Sequence, residues 1–108
     1  MHHLAGQGWT VLQHRYRLGH LELDVVARKS RVVAFVEVKT REATAFGDPL
    51  EAVTWRKRRE MVRVAQAWIA RFGRTGDVYR FDVIGVRSAG PGVTLVEHVE
   101  DAFWPGWR

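Results

Sequence analysis

Three charged residues in the first half of the chain have the types and spacing that a metal-dependent hydrolase needs. Asp24 precedes Glu37 by 13 residues, and one residue separates Glu37 from Lys39. Charged side chains rarely enter a buried strand unless they are paired or bind a metal. Two carboxylates could hold a divalent cation, while a lysine could orient water and stabilise charge on a phosphate. These three residues are the candidate catalytic set.

Two predicted strands carry this set. Residues 21–28 alternate between apolar and polar side chains, which is typical of a strand with one buried face. Residues 31–39 are β-branched and almost continuously apolar until Glu37, as expected for a central strand. The short polar turn between the strands predicts that they pair.

The length of that turn decides how the two carboxylates meet. A turn centred on Ser30–Arg31 places Asp24 directly opposite Glu37, whereas one centred on Lys29–Ser30 places the two residues one diagonal step apart. Facing Cβ atoms are about 4.5–5.5 Å apart and diagonal ones about 7–8 Å. Either distance lets two carboxylates hold one cation, so both turns remain compatible with a metal site.

Side-chain alternation predicts a larger acidic group on the same face of the sheet. Like charges opposed across a sheet are destabilising, and a divalent cation would compensate for them. The ligands would all be oxygen, which favours Mg²⁺ or Mn²⁺ over zinc. The predicted metal ligands are the carboxylates of Glu22, Asp24 and Glu37 and the carbonyl of Val38.

Length and composition limit the class of protein. The 108 residues suit a single domain, 1–108, and 46% of them are hydrophobic. The absence of cysteine excludes disulfides and thiolate zinc sites, and it fits a cytoplasmic location. We find no run of the roughly 20 apolar residues that a membrane span needs, so we expect no membrane partner. The net charge of +5 favours a polyanionic partner, above all nucleic acid.

The remaining elements complete an α/β pattern. Residues 9–17 are a predicted first strand, 79–86 a fourth and 93–99 a fifth. Asp48–Pro49 is typical of a helix start, and apolar residues recur at helical spacing over 55–72. The predicted order is β-β-β-α-β-β, an α/β fold with a mixed central sheet.

Basic residues at the start of the main helix predict contacts with a nucleic-acid backbone. A solvated helix face is the alternative, and the neighbouring acidic site favours the nucleic-acid interpretation. The predicted binding residues are Thr40, Arg41, Arg56, Lys57, Arg58, Arg59 and Arg63. Glu51 and Gln66 are weaker candidates, since helix capping explains the first and an ordinary surface position the second.

Three other side chains receive structural assignments. Trp55 and Trp68 fall at helical spacing that suits the core face of the main helix, although stacking on bases is an alternative. Asp82 is interpreted as a structural acid near a strand end.

Several segments together resemble the YraN-type family, predicted endonucleases of the PD-(D/E)xK class. The resemblance runs from about Gly8 to Phe103 and rests on DVVAR at 24–28, FVEVKTR at 35–41, FGDPLEAVTWRKRR at 46–59, FDVIGV at 81–86 and HVEDAF at 98–103. It implies a restriction-endonuclease-like core, similar to archaeal Holliday-junction resolvases. It also implies Asp24, Glu37 and Lys39 as the active-site positions.

The resemblance implies further expectations. The activity would be metal-dependent hydrolysis of phosphodiester bonds in DNA, including branched or structured DNA, and related resolvases suggest a homodimer. Members of the family usually begin with a helix that bears a Gly-Glu pair. This chain starts at about the first predicted strand, so we expect that helix to be absent.

Two alternatives to an enzyme follow from the same residues. The chain could be a catalytically inactive nucleic-acid-binding module of the same fold, for which the missing helix is the motive. It could also be a protein-interaction scaffold that uses the aromatic segment 101–108.

Overall fold

The computed structural model describes residues 2–42 and 47–106 and contains one five-stranded sheet with a long helix on one face. The strands are β1 (Thr10–Leu18), β2 (Leu21–Lys29), β3 (Val32–Arg41), β4 (Val78–Gly90) and β5 (Val93–Phe103). The helices are α1 (His2–Gly6), α2 (Trp55–Phe72) and a single 3₁₀ turn (Pro49–Ala52). This arrangement confirms the predicted α/β fold.

The strands lie in the sheet in the order of the sequence, β1-β2-β3-β4-β5. Only β3 and β4 are parallel, and the other neighbours are antiparallel. Parallel neighbours need a long crossover, and α2 supplies it. The mixed sheet and the order β-β-β-α-β-β are therefore as predicted.

Each face of the sheet has its own apolar cluster. The α2 face carries the side chains of Val33 and Phe35 from β3 with Phe81 from β4, and Trp68 of α2 packs on them. The opposite face carries a smaller cluster that includes Val36. The nearly continuous apolar run of β3 is explained by burial on both faces.

Two capping side chains fix where the 3₁₀ turn and the long helix α2 begin. The Asp48 carboxylate accepts a hydrogen bond from the amide of Leu50 and begins the 3₁₀ turn. The Thr54 hydroxyl accepts one from the amide of Lys57 and begins α2, which ends at Gly73. The predicted helix start at Asp48 is thus a single short turn, and the long helix begins at the second cap.

Trp55 and Trp68 were both predicted to face the core, and the structure confirms only one of these predictions. Trp68 is buried, as predicted, whereas Trp55 is 70% exposed, so its assignment to the core is wrong. The buried stripe of α2 passes through Met61, Val64 and Trp68. At 100° per residue, Trp55 lies about 130° from the centre of that stripe.

A short helix that was not among the predicted elements precedes β1, and its sequence HHLAG lacks the Gly-Glu pair of the family helix that was expected to be absent. Residues 2–6 form the short helix α1, and Leu4 within it is fully buried beside Trp9 on the smaller apolar face. Burial of this leucine explains why so short a segment is helical, because tertiary packing outweighs local propensity in short helices. No helix in the described ranges is long and apolar enough to cross a membrane.

Candidate active site

Of the two turns between β2 and β3 that the sequence allowed, the structure has the one that places Asp24 directly opposite Glu37. Lys29 pairs with Val32, so the turn is Ser30–Arg31, and Ser30 adopts a φ of 56°. The last pair in the same register is Val25 with Val36. One further step along both strands brings Asp24 opposite Glu37.

Asp24 occupies an irregularity in the sheet. Its Oδ2 accepts a hydrogen bond of 2.7 Å from the backbone amide of Val38. On β1 the facing residue is Arg15, whose φ is 54°. A carboxylate held by a backbone amide has a restricted orientation, so the β3 backbone itself positions the Asp24 side chain.

The irregularity turns Glu22 away from this group. Leu21 and Leu23 both pack against the cluster on the α2 face, so alternation directs the residue between them to the opposite side. The Glu22 carboxylate accepts hydrogen bonds from Arg15 at 3.2 Å and from Arg17 at 3.0 Å. The structure therefore does not bring Glu22 together with Asp24 and Glu37. The prediction that it would assumed regular side-chain alternation along all of β2, and the irregularity at Asp24 interrupts that alternation.

Glu37 is the buried centre of the site. It is 4% exposed, and in the ionised form its Oε1 accepts no hydrogen bond from the described residues. Its Oε2 lies 3.6 Å from Nζ of Lys57 and 3.8 Å from Nζ of Lys39. The Lys57 ammonium thus links Glu37 of β3 to α2, whereas Lys39 belongs to the same strand as Glu37.

The environment raises the pKa of Glu37 to about 7. Burial is the largest cause, because it disfavours the charged form. The neighbouring Asp24 adds to the rise, since it favours a protonated Glu37 by hydrogen bonding and disfavours an ionised one by charge. Lys57 and Lys39 act in the opposite direction. A carboxylate poised near neutral pH beside a second carboxylate is common at functional sites.

Lys57 is a member of the site that the sequence assigned only to the nucleic-acid backbone. It is the third residue of α2, and its ammonium also lies 3.4 Å from the carbonyl oxygen of Glu22. It precedes Met61 by four residues, so it extends the buried stripe of the helix by one turn. That spacing is the signal by which the sequence could have placed Lys57 over the sheet.

The residues present suit a hard divalent cation with an incomplete protein shell. In residues 2–42 and 47–106 no group of three Asp, Glu, His or Cys side chains could share a metal ion. Two carboxylates remain, and in the ionised form the buried Glu37 Oε1 accepts no hydrogen bond within these ranges. Mg²⁺ is commonly bound by one or two carboxylates, with water and substrate phosphate as the other ligands. Asp24 and Glu37 fit that pattern, and the carbonyl of Val38 stays a prediction.

The basic residues predicted to bind nucleic acid have separate environments. Arg41 is largely buried, with its guanidinium 3.0 Å from the carbonyl of Gly47 and 3.7 Å from Glu97. Arg58 donates to the carbonyls of Val53 and Leu50. Both arginines therefore hold local structure.

The other predicted contacts lie at the surface. Arg56, Arg59 and Arg63 on α2 and Thr40 at the end of β3 are exposed. Arg56 pairs with Glu60 at 3.3 Å. These four side chains could reach a phosphate backbone without disturbing the fold.

The weaker candidates lie at the surface. Glu51 is exposed, and its carboxylate lies against Gly47 in the segment that leads to α2. Gln66 is an exposed residue in the middle of α2. Neither gains a role from the structure.

A second polar cluster, centred on Asp82, was only partly foreseen. Asp82 is fully buried, which agrees with a structural role, and it accepts hydrogen bonds from Arg80 and from the amide of Asp101, both at 3.0 Å. His98 Nε2 lies 2.7 Å from Asp82, and its Nδ1 lies 3.2 Å from Nε2 of His3. The cluster connects β4 and β5 to α1. It was not predicted, because its two histidines, His3 and His98, lie far apart in the sequence.

Comparison with known proteins identifies the family. Residues 1–86 match the uncharacterised protein family UPF0102. A UPF0102 protein of Chlorobium chlorochromatii is 41% identical over 107 residues, which covers 94% of this chain and 82% of that protein. A UPF0102 protein of Geotalea daltonii is 40% identical over 100 residues, which covers 93% and 79%.

A third relative gives the same result at greater coverage of its own length. The UPF0102 protein Francci3_3586 of Frankia casuarinae is 38% identical over 101 residues, covering 94% of this chain and 86% of that protein. The resemblance that the motifs indicated is therefore confirmed, and the chain belongs to the UPF0102 family, which is the YraN family.

Proposed function

We propose that this protein is a metal-dependent endonuclease that hydrolyses phosphodiester bonds in DNA, including branched or structured DNA. The observation that supports the proposal is the pair Asp24 and Glu37, two acidic side chains held together beneath the ammonium groups of Lys39 and Lys57. Such a group would hold a cation and a phosphate at adjacent positions.

Different residues of the chain would bind the metal ion and the phosphate. Asp24 and Glu37 would hold Mg²⁺ or Mn²⁺, with the Val38 carbonyl as a further predicted ligand. When bound, the cation would lower the pKa of water and neutralise negative charge on the reacting phosphate. The ammonium groups of Lys39 and Lys57 would donate hydrogen bonds to phosphate oxygens and orient the attacking water.

The reaction is a displacement at phosphorus. A water oxygen forms the new bond to phosphorus in line with the ester oxygen that leaves, and that oxygen takes up a proton. The site supplies positioning and charge stabilisation, which are the main contributions that a protein makes to phosphoryl transfer. The exposed Arg56, Arg59 and Arg63 would hold the flanking backbone without reading sequence.

The test is cleavage of labelled DNA by the wild type, Asp24→Asn and Lys39→Ala, with Mg²⁺ and with Mn²⁺. A four-way junction and a linear duplex of the same sequence separate branched from simple substrates. Lys29→Ala is the matched control, because Lys29 bonds to the carbonyl of Gln7 at the other end of β2. We expect cleavage only by the wild type and the control. Full cleavage by both site variants would refute the assignment.

Calorimetry gives a second, independent readout. Mn²⁺ should bind to the wild type and to Lys29→Ala, and the binding should be lost in Asp24→Asn. If the metal fails to bind alone, the titration is repeated with a non-cleavable DNA, since substrate phosphate can complete the shell of such a site. Absence of binding under both conditions would remove the metal from the proposal.

A second candidate is a nucleic-acid-binding module without activity. The observation that favours it is that the Glu37 carboxylate already has two ammonium groups within 4 Å, so that charge is balanced without a cation. This candidate predicts salt-dependent DNA binding with no turnover in either metal. The cleavage assay above separates the two functions.

A further inference from the structure

The first turn of α2 and the end of β5 form a surface cavity that is not part of the candidate active site. Its volume is about 170 Å³, and its lining includes Trp55, Arg58, Arg59, Phe103 and Trp104. Both tryptophans are 70% exposed, which makes them the most exposed large apolar side chains of the described ranges. So much indole surface beside a cavity points to a ligand.

The Trp55 ring is held as a platform with one open face. The guanidinium carbon of Arg58 lies 4.3 Å from the centre of the Trp55 ring and 5.6 Å from that of Phe103. Arg58 is itself fixed, because it donates to the carbonyls of Val53 and Leu50 at 3.2 and 3.3 Å. One face of the indole therefore rests on an anchored cation, and the other is presented to solvent.

The residues that line the cavity favour a flat ligand that also carries negative charge. The cavity combines aromatic faces with the exposed guanidinium of Arg59, and the chain carries a net charge of +5. An unpaired nucleotide offers the complementary parts, a π-face for an indole and a phosphate for an arginine. A duplex keeps its bases stacked on one another, so only a single strand, a junction or a flipped base would supply such a nucleotide.

The distance to the carboxylate pair fits one nucleic-acid strand that serves both sites. Glu37 lies on β3, and Phe103 lies on β5, two strands away. Phe103 is level with Phe35, two residues before Glu37. Two strand spacings across the sheet and two residues along it separate the Phe103 and Glu37 backbones by about 12 Å, a span of a few nucleotides. A base in the cavity would therefore be a few nucleotides from a phosphate at Glu37.

We infer that the cavity between Trp55 and Trp104 binds an unpaired nucleobase and so selects substrates with single-stranded or distorted segments. The inference rests on the proposed function and adds the substrate feature that the site recognises. Trp55 would stack on the base, Trp104 would close the cavity from the β5 side, and Arg59 would contact the attached phosphate.

The test compares ligands that differ only in their bases. Binding of short oligothymidine, and of an abasic oligonucleotide of equal length and charge, is followed by fluorescence anisotropy in Lys39→Ala, which should not cleave. We expect tighter binding of the oligothymidine and quenching of indole fluorescence. Trp55→Ala should weaken oligothymidine binding roughly 5- to 100-fold and leave abasic binding unchanged, while Trp55→Phe should retain most of the affinity.

Leu95→Ala is the matched control, because it removes an exposed apolar side chain elsewhere on β5. Equal affinity for the two oligonucleotides, or no effect of Trp55→Ala, would overturn the inference while DNA binding itself persists. An indole signal that changes with protein concentration and not with DNA would assign the cavity to a second copy of the chain, which also overturns it. Absence of any DNA binding would refute the proposed function instead.

Discussion

Lys57 of α2 places its ammonium nitrogen 3.6 Å from Oε2 of Glu37 on β3. The helix that connects the two parallel strands is thereby also the element that closes the candidate site. Three features produce this contact: the Thr54 cap, which sets the start of α2; the buried stripe, which sets its rotation; and the buried carboxylate beneath it.

Replacement of Lys57 tests whether this contact serves catalysis. Lys57→Met keeps most of the side-chain length and removes the charge, so it should lower DNA cleavage roughly 100-fold, the cost of removing one charge-stabilising donor. Lys29→Met is the control with the same chemical change at the opposite end of β2, and it should cleave normally. Normal cleavage by Lys57→Met, in protein that folds as the wild type does, would limit Lys57 to a structural role.

The pKa of Glu37 predicts how stability depends on pH in metal-free protein. The folded-state pKa of about 7 lies above the ordinary value of 4.5, so the folded state binds the extra proton between these pH values. The free energy of unfolding should therefore fall as pH rises from about 4.5 to 7, by on the order of 2–3 kcal/mol.

Glu37→Gln isolates that contribution because glutamine stays neutral. Its unfolding free energy, measured by urea denaturation in chelator, should change less over the same pH window than that of the wild type and should exceed it at pH 8. Glu100→Gln changes an exposed carboxylate and should follow the wild type. Identical pH profiles for Glu37→Gln and the wild type would contradict the burial of an ionisable Glu37.

Asp77 contributes with the opposite sign. A hydrogen bond from Arg28 is the main reason that its pKa is lowered from 3.8 to about 2, and the Arg28 Nη1 to Asp77 Oδ1 distance is 2.8 Å. This stabilisation is fully present above pH 4 and is lost as pH falls through about 2.

Asp77→Asn should lower the unfolding free energy at pH 7 by on the order of 2 kcal/mol, with a smaller difference from the wild type near pH 2. Thermal or urea unfolding at the two pH values measures this change. Glu42→Gln alters an exposed carboxylate as a comparison. A constant difference at all pH values would assign the loss to packing rather than to charge.

Gly85 is required for close packing beneath the segment that leads to α2. A Cβ at this position would lie 2.8 Å from Cγ of Pro49 and 3.2 Å from Cδ of Arg41, and the proline ring has little freedom to move. Gly85→Ala should therefore destabilise the protein by about 1–3 kcal/mol. Gly6→Ala is the control, since its Cβ would meet nothing within 4 Å. Unchanged thermal unfolding of Gly85→Ala would show that the 3₁₀ turn can shift freely.

Local pattern was sufficient for much of the site. The polar break at Lys29–Ser30 and the apolar runs on both sides of it predicted a hairpin, and either position of the turn brought Asp24 near Glu37. The two possible turns differed in position by one residue. The pairing of β2 with β3 shows the turn that places Asp24 directly opposite Glu37. The positions of strands and of the long helix followed equally from periodicity, because period two and period 3.6 are easily separated over such lengths.

Other features required contacts between residues distant in the chain. Glu22 was predicted on the face of Glu37, but Arg15 on a different strand disturbs the alternation at Asp24 and turns Glu22 to the other side. His98 and Asp82 are 16 residues apart and meet only because β4 and β5 pair. A spacing rule within one strand contains no information on either contact.

The sequence by itself determined the elements, the hairpin that carries Asp24 and Glu37, and the place of Lys39 beside them, because these depend on neighbours within a few residues. Only the tertiary structure decided that Lys57 faces Glu37, that Glu22 leaves the group and that Trp55 is exposed. The physical reason is that these outcomes depend on how α2 is rotated against the sheet and on how β1 pairs with β2. Both are set by the packing of whole elements and not by any one segment.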